Sequence, residues 1–236
     1  FFARSLANRM WHRFFGFGLV NPLDQMHSEN PPSHPELLDW LARDARTHGY
    51  DVRRIARGLV LSRAYARSSK YPSESHPAPR YFAVARLKPM TPMQLGTSLR
   101  IAVQDPATFE KLKPEDFEKR IEQAESAGRG LAGSFAVPSD DFQIGVAEAL
   151  RFSNAERLNR DLLGDGKTGV VAKAAAAKST DDGIALLVQT AYGRPASPEE
   201  AKALGDYVRR RSDRTTDAYR QVLWALLSAP EFRFSY

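Results

Sequence analysis

The sequence predicts an all-α fold, an irregular domain of about eight to ten short helices joined by long loops. Three observations predict it. Apolar residues return every three or four positions through most of the chain. The stripes open on capping residues or proline and close on glycine or proline. No alternating run long enough for a useful strand occurs anywhere.

The first stripe is Phe2, Leu6, Met10 and Phe14, flanked by Ala3, Ala7 and Trp11, and Gly16 and Gly18 end it. A short apolar turn follows at Leu19, Val20, Pro22 and Leu23, then a polar stretch from Asp24 to Asn30. Pro31 and Pro32 cannot lie inside a helix, because they lack an N–H and force the preceding residue into extended conformation. Ser33 then stands as a cap with Glu36 three residues on, the spacing of a capping box, and Pro35 suits a first turn whose amides have no partner. Leu37, Leu38, Trp40 and Leu41 supply the buried face as far as His48, where Gly49 closes the helix. Asp51 caps a third helix with Val52, Ile55, Ala56, Leu59 and Val60 on one side and Arg53, Arg54 and Arg57 on the other. Arg63 breaks this pattern and is expected at a frayed helix end.

Residues 66–80 read as a linker-like loop rich in serine and proline. Thr91, Pro92 and Gln94 repeat the capping-box spacing ahead of Leu95, Leu99 and Val103, and Asp105-Pro106 stops that helix. Residues 107–127 read as one broken, exposed helix, after which Gly128, Gly130 and Gly133 are expected to open a mobile loop through Pro138. That places a hinge candidate near 128–140 in an otherwise single helical domain spanning 1–236.

Phe142, Val146 and Leu150 start a further helix, and Leu158, Leu162 and Leu163 extend the pattern to Gly164. Ala172 to Ala177 reads as a short helix because alanine has the best helix propensity. Thr180 is expected to cap Ile184, Leu187 and Ala191, with Gly193 closing, and Ser197-Pro198-Glu199-Glu200 is a further capping box before Leu204, Tyr207 and Val208. Thr216 or Asp217 starts the last helix, carrying Tyr219, Val222, Leu223, Leu226 and Leu227, and Pro230 ends it.

The 236 residues are 42% hydrophobic and 26% charged, enough apolar surface for a core and against wholesale disorder. Cysteine is absent, so disulfides and cysteine-ligated metals or clusters are excluded, while the redox compartment stays open. No apolar run reaches the roughly 18 residues of a membrane span. The chain starts at Phe1-Phe2 already in helical register and without Met, and is read as a piece of a longer parent. Charge is uneven: residues 1–100 carry 15 Lys/Arg against 7 Asp/Glu, and residues 101–236 carry 19 against 21. A basic first part faces either the parent's other domains or an anionic partner such as nucleic acid, an acidic glycan or lipid headgroups.

Motifs with their own chemistry are few. His12, His27, His34 and His48 lie near Asp24, Glu36 and Asp39 in sequence, but no His-Glu-x-x-His and no histidine pair at i, i+4 occurs, so no metal site is expected. No serine sits in a Gly-x-Ser-x-Gly elbow, and Gly16-Phe17-Gly18 and Gly128–Gly133 lack the strand and Lys-Ser/Thr of a phosphate loop. Asp140-Asp141 and Asp181-Asp182 stand at expected helix starts, where they complement the dipole. The second helix, the Gly49 turn and the basic third helix resemble a helix-turn-helix in outline, in which Arg53, Arg54 and Arg57 would meet phosphates or bases. The base-reading face, however, offers only Ser62 among the usual polar readers.

Asn8-Arg9-Met10-Trp11, Phe14 to Val20 and Ser33 to Leu41 together closely resemble one family, the C-terminal domain of unknown function numbered fifteen fifty-three, common in large planctomycete proteins. The resemblance continues through Leu61-Ser62-Arg63-Ala64-Tyr65, Arg80-Tyr81-Phe82 and Met93-Gln94-Leu95, and returns in Tyr192 to Glu200 and Leu223 to Phe232. It implies an exported parent at the periplasm or cell surface, with a cytochrome-c-like haem module often lying upstream. It transfers no catalytic residue, and the haem-binding Cys-x-x-Cys-His is absent here, so any haem would belong to the upstream module.

These readings favour a non-catalytic helical accessory module of an exported, envelope-associated multidomain protein. It would bind an acidic polymer or the parent's haem-bearing domain, with Arg53, Arg54, Arg57, Trp11 and Trp40 as candidate binding residues. The first alternative is a hydrolytic or redox enzyme with a site near Trp11, built from His34, Glu36, Asp39 and Arg9. The second is the helix-turn-helix nucleic-acid binder.

Overall fold

The computed structural model describes residues 1–135 and 156–235. Ten α-helices occur among the described residues: α1 (Phe2–Phe15), α2 (Pro35–Thr47), α3 (Val52–Val60), α4 (Pro92–Ala102), α5 (Pro114–Ala132), α6 (Glu156–Leu163), α7 (Gly169–Ala175), α8 (Thr180–Tyr192), α9 (Pro198–Arg209) and α10 (Thr215–Ser228). Extended structure among these residues amounts to two strands of two residues each, Lys88–Pro89 and Phe234–Ser235. The fold is all-α, as the periodicity predicts. The chain divides into two compact units, residues 1–88 and residues 89–235, whereas the sequence predicts a single domain.

The first unit packs α1, α2 and α3 around Ala7, Trp11, Phe15, Leu19, Val20, Leu38, Leu41, Ala45, Ile55 and Leu59. α1 ends on Gly16 at φ 70°, a left-handed conformation that costs glycine nothing. Asp51 caps α3 by accepting from the amides of Arg53 and Arg54. α3 ends at Val60, so Arg63 lies beyond it, but Val52 and Val60 face solvent instead of the core, which α3 contacts through Ile55 and Leu59.

In the second unit, α8 and α10 form the centre, with Ile184, Leu187, Val188, Leu223 and Leu227 fully buried together with Leu99 of α4. Each such side chain stabilises the fold by about 1.5–3 kcal/mol relative to exposure. The capping boxes at Thr91/Gln94 and Ser197/Glu200 both form with their reciprocal bonds. Two expected helix starts shift by a residue. Ser179, not Thr180, caps α8 by accepting from the Asp182 amide, and the last helix begins at Thr215.

The larger correction concerns Gly128 and Gly130, which lie inside α5 and not in a loop. α4 and α5 cross where Gly96 meets Gly128. A Cβ on Gly96 would stand 2.5 Å from the Gly128 carbonyl oxygen, and one on Gly128 would stand 2.6 Å from the Thr97 amide nitrogen. The missing side chains let two backbones touch, which outweighs glycine's poor helix propensity. The remainder of the expected hinge, and the expected helix through Phe142, Val146 and Leu150 with Asp140-Asp141, lie outside the described residues.

Candidate functional site

Within the first unit, the turn after α1 is wound onto one buried side chain. Asn8 is fully buried and turns both ends of its amide to one residue: Nδ2 donates to the Val20 carbonyl at 2.8 Å, and Oδ1 accepts from the Val20 amide at 2.9 Å. Gly18 lies so close to the Val20 carbonyl oxygen that any Cβ would collide with it. The start of α2 is moored to the same turn. The Ser33 amide donates to the Leu19 carbonyl at 2.7 Å, and the Ser33 hydroxyl donates to the same oxygen at 3.2 Å.

That mooring overturns the expected capping box. The Ser33 amide that Glu36 would reach is given to Leu19, the Ser33 hydroxyl is turned toward the same carbonyl, and α2 begins one residue later with His34 at its N-cap and no side-chain cap bond. Glu36 is exposed in the first turn, where its charge complements the dipole. His34 Nδ1 pairs with the Ser33 hydroxyl at 3.1 Å, and its ring lies 5.7 Å from that of Phe82.

The other residues singled out from the sequence separate. Asp39 pairs with Arg4 at 2.9 Å and Arg9 pairs with Asp24, both at the surface. Trp11 is a core residue, stacked on Phe15 at 4.0 Å and met edge-on by Phe82 at 5.2 Å. Trp40 is 56% exposed. Of the α3 arginines, Arg54 forks onto Asp44 of α2 at 3.0 and 3.2 Å, and this guanidinium holds the Asp44 carboxyl below the usual carboxylate range. Arg53 and Arg57 are exposed on α3.

The structure gathers a different group, from the end of α1 and the stretch after α3. Residues 1–50 hold five Lys/Arg and five Asp/Glu, whereas residues 51–88 hold nine Lys/Arg and only Asp51 and Glu74 as acids. The whole basic excess of the first unit therefore lies in its last 38 residues, interleaved with Tyr65, Tyr71, Tyr81 and Phe82. This imbalance of charge with aromatics is the signal that could have found the site, and helical periodicity hides it because the stretch after α3 has none.

Here the chain returns against the end of α1 and forms a cleft lined by Phe14, Phe15, Tyr65, Arg67, Phe82, Arg86 and Lys88. Lys88 Nζ donates to the Phe14 carbonyl at 2.7 Å, at the negative end of α1, and lies 5.4 Å from the Tyr65 ring. Burial pushes its ammonium below the ordinary lysine pKa. Arg67 Nη1 donates to the Ala83 carbonyl at 3.1 Å, and Arg86 stands over the Phe17 ring at 5.7 Å. Carbonyl oxygens and ring faces thus orient all three cations, and none is paired with a carboxylate among the described residues. An oriented, unneutralised trio of this kind can take an anion.

A second groove of about 600 Å³ lies beside it, lined by Phe17, Asn21, Ser33, His34, Arg80 and Tyr81 among others. Among the described residues no group of three or more His, Asp or Glu is placed to hold a metal ion, and no helix is long and apolar enough to cross a membrane.

A family model described as PSD1, protein of unknown function (DUF1553), matches residues 1–132. The matched span contains the cleft, the groove and every candidate residue discussed above. No curated protein and no solved structure matches the chain.

Proposed function

The chain belongs to the DUF1553 family of proteins of unknown function, and from that premise we propose that it is a non-catalytic helical interaction module whose first unit binds an acidic polymer. The observation that carries this reading is the cleft at Arg67, Arg86 and Lys88, three cations held in place without a carboxylate among the described residues. In the same unit Arg4, Arg9 and Arg54 each have an acidic partner, whereas these three cations meet carbonyl oxygens and ring faces. The setting is an exported parent at the cell envelope, in which this module carries no cofactor of its own and a haem-bearing domain of the same parent is a second partner.

The hydrolytic or redox alternative draws less support, because Arg9 and Asp39 are engaged in separate ion pairs and Trp11 is part of the core. The helix-turn-helix alternative also loses ground, since Arg54 is spent on Asp44.

Chromatography on immobilised polyuronate tests the proposal. The expected result is retention that falls with salt and drops further in a variant with Arg67, Arg86 and Lys88 all changed to Gln. No retention, or retention indifferent to both salt and the triple variant, overturns it. If the triple variant elutes with wild type while Arg53→Ala/Arg57→Ala does not, the polymer is held by α3 and the cleft is excluded.

A further inference from the structure

We propose that the groove beside Tyr81 is a sugar-ring subsite for a uronic-acid residue, an assignment that rests on the acidic-polymer reading above. Tyr81 is 58% exposed although it borders a groove of about 600 Å³, within the usual range for a small-ligand site. An exposed ring beside polar groups suits the apolar C–H face of a pyranose, which leaves the sugar's hydroxyls at the rim.

Arg80 stands next to it in a fixed position. Its guanidinium lies 5.1 Å from the Tyr81 ring centroid, and Nη2 donates to the Tyr81 hydroxyl at 3.2 Å, with no carboxylate on it among the described residues. A guanidinium held over the Tyr81 ring selects a sugar that carries a carboxylate, since the planar fork matches two oxygens. On the other wall, His34 uses Nδ1 on the Ser33 hydroxyl and keeps Nε2 for a sugar hydroxyl. His34 is thereby given a task that helix capping does not require.

Two rings connect this groove to the cationic cleft. Phe17 lines the groove and carries Arg86 on its face, and Phe82 lines the cleft with its ring 5.7 Å from that of His34. A polymer that places one ring on Tyr81 has its next acidic groups within the field of Arg86 and its neighbours. A flexible polyanion without rings has nothing to lay on Tyr81, and a neutral glycan leaves Arg80 without its partner.

The test is calorimetric titration of the full chain with a short oligogalacturonate and, separately, with polyacrylate of matched charge at the same ionic strength. The expected result is tighter binding of the oligogalacturonate, weakened about tenfold by Tyr81→Ala, as loss of one stacking contact implies, and weakened less by Tyr81→Phe, which keeps the ring but removes the hydroxyl that Arg80 donates to. Polyacrylate binding stays unchanged in both variants, which also shows that they fold. If Tyr81→Ala leaves oligogalacturonate binding intact, or weakens both polymers alike, the sugar subsite is overturned and the acidic-polymer reading stands. If wild-type protein binds neither polymer, both readings fall.

Discussion

Arg194 meets Glu231 along one full edge of its guanidinium: Nε donates to Oε1 at 2.7 Å and Nη2 to Oε2 at 2.8 Å. Nη1 and Nη2 each also reach Glu200 at 2.8 Å, and Nη1 donates to the Pro195 carbonyl at 3.1 Å. Glu200 is also the acid of the α9 capping box and accepts from the Ser197 amide at 2.8 Å. One planar cation therefore joins the loop after α8, the start of α9 and the turn after α10. Arg194→Ala is expected to destabilise these elements by about 2 kcal/mol, because it leaves two carboxylates without their charge-assisted bonds. Arg194→Lys should recover little, since a compact ammonium cannot span two forks. Hydrogen exchange of the α8 to α10 amides reads the loss, and unchanged protection in Arg194→Ala would show the clamp to be dispensable.

The same clamp sets an acid limb. The Arg194 guanidinium beside Glu200, helped by the Ser197 amide, holds the Glu200 carboxyl down at about 2, against an ordinary 4.5. Between those values the unfolded chain binds the proton and the folded chain does not, so stability rises with pH across this window. The contribution is complete above 4.5 and is lost as pH falls through about 2. Thermal unfolding from pH 5 downward should decline less steeply in Glu200→Gln than in wild type.

The helix crossing at Gly96 and Gly128 makes a prediction with opposite signs at neighbouring glycines. Gly128→Ala drives a Cβ into the Gly96–Thr97 backbone and should cost about 1–3 kcal/mol, in excess of the gain in helix propensity. Gly130, in the same helix, has nothing within 4 Å of a Cβ, so Gly130→Ala should stabilise by up to about 1 kcal/mol. Denaturation midpoints of the two variants should move in opposite directions.

Asn8 is buried with both amide groups on Val20. Asn8→Leu is nearly volume-neutral and yet leaves the Val20 N–H and C=O buried without partners, at about 2–4 kcal/mol for the two groups. Asn8→Asp should be no better, since it removes the donor to the carbonyl and buries a charge. Urea titration checks the order, and a wild-type midpoint in Asn8→Leu would mean that the turn at 17–20 holds itself.

These residues mark what could be read in advance. Capping by Asp51, Thr91 with Gln94, and Ser197 with Glu200 is local chemistry across three residues, and each formed as the sequence dictates. Ser33 carries the same signature and fails as a cap because Leu19, distant in sequence, claims its amide and its hydroxyl. Gly128 reads as a breaker until Gly96 is placed against it. His34 was legible as a residue that capping leaves unexplained, but its partners across the groove were not, since Arg80 and Tyr81 lie in a stretch without periodicity. Local rules thus give the helices, whereas Lys88 on the Phe14 carbonyl and His34 beside the Phe82 ring join residues far apart in sequence.

Lys88 gives the proposed function a pH dependence of its own. Burial lowers its pKa below the ordinary 10.5, so it loses its charge earlier in the alkaline range than an exposed lysine does. In that window the unfolded chain still binds the proton, so this group makes folding more favourable as pH rises. Anion binding responds with the opposite sign, because it needs the ammonium that the folded state is giving up. Retention on polyuronate should therefore weaken between neutral pH and the ordinary lysine value while the fold gains stability from the same residue. Lys88→Arg should keep its charge through this range and hold retention flat. Parallel alkaline profiles for wild type and Lys88→Arg would remove Lys88 from the binding cleft and leave it only the role of closing the end of α1.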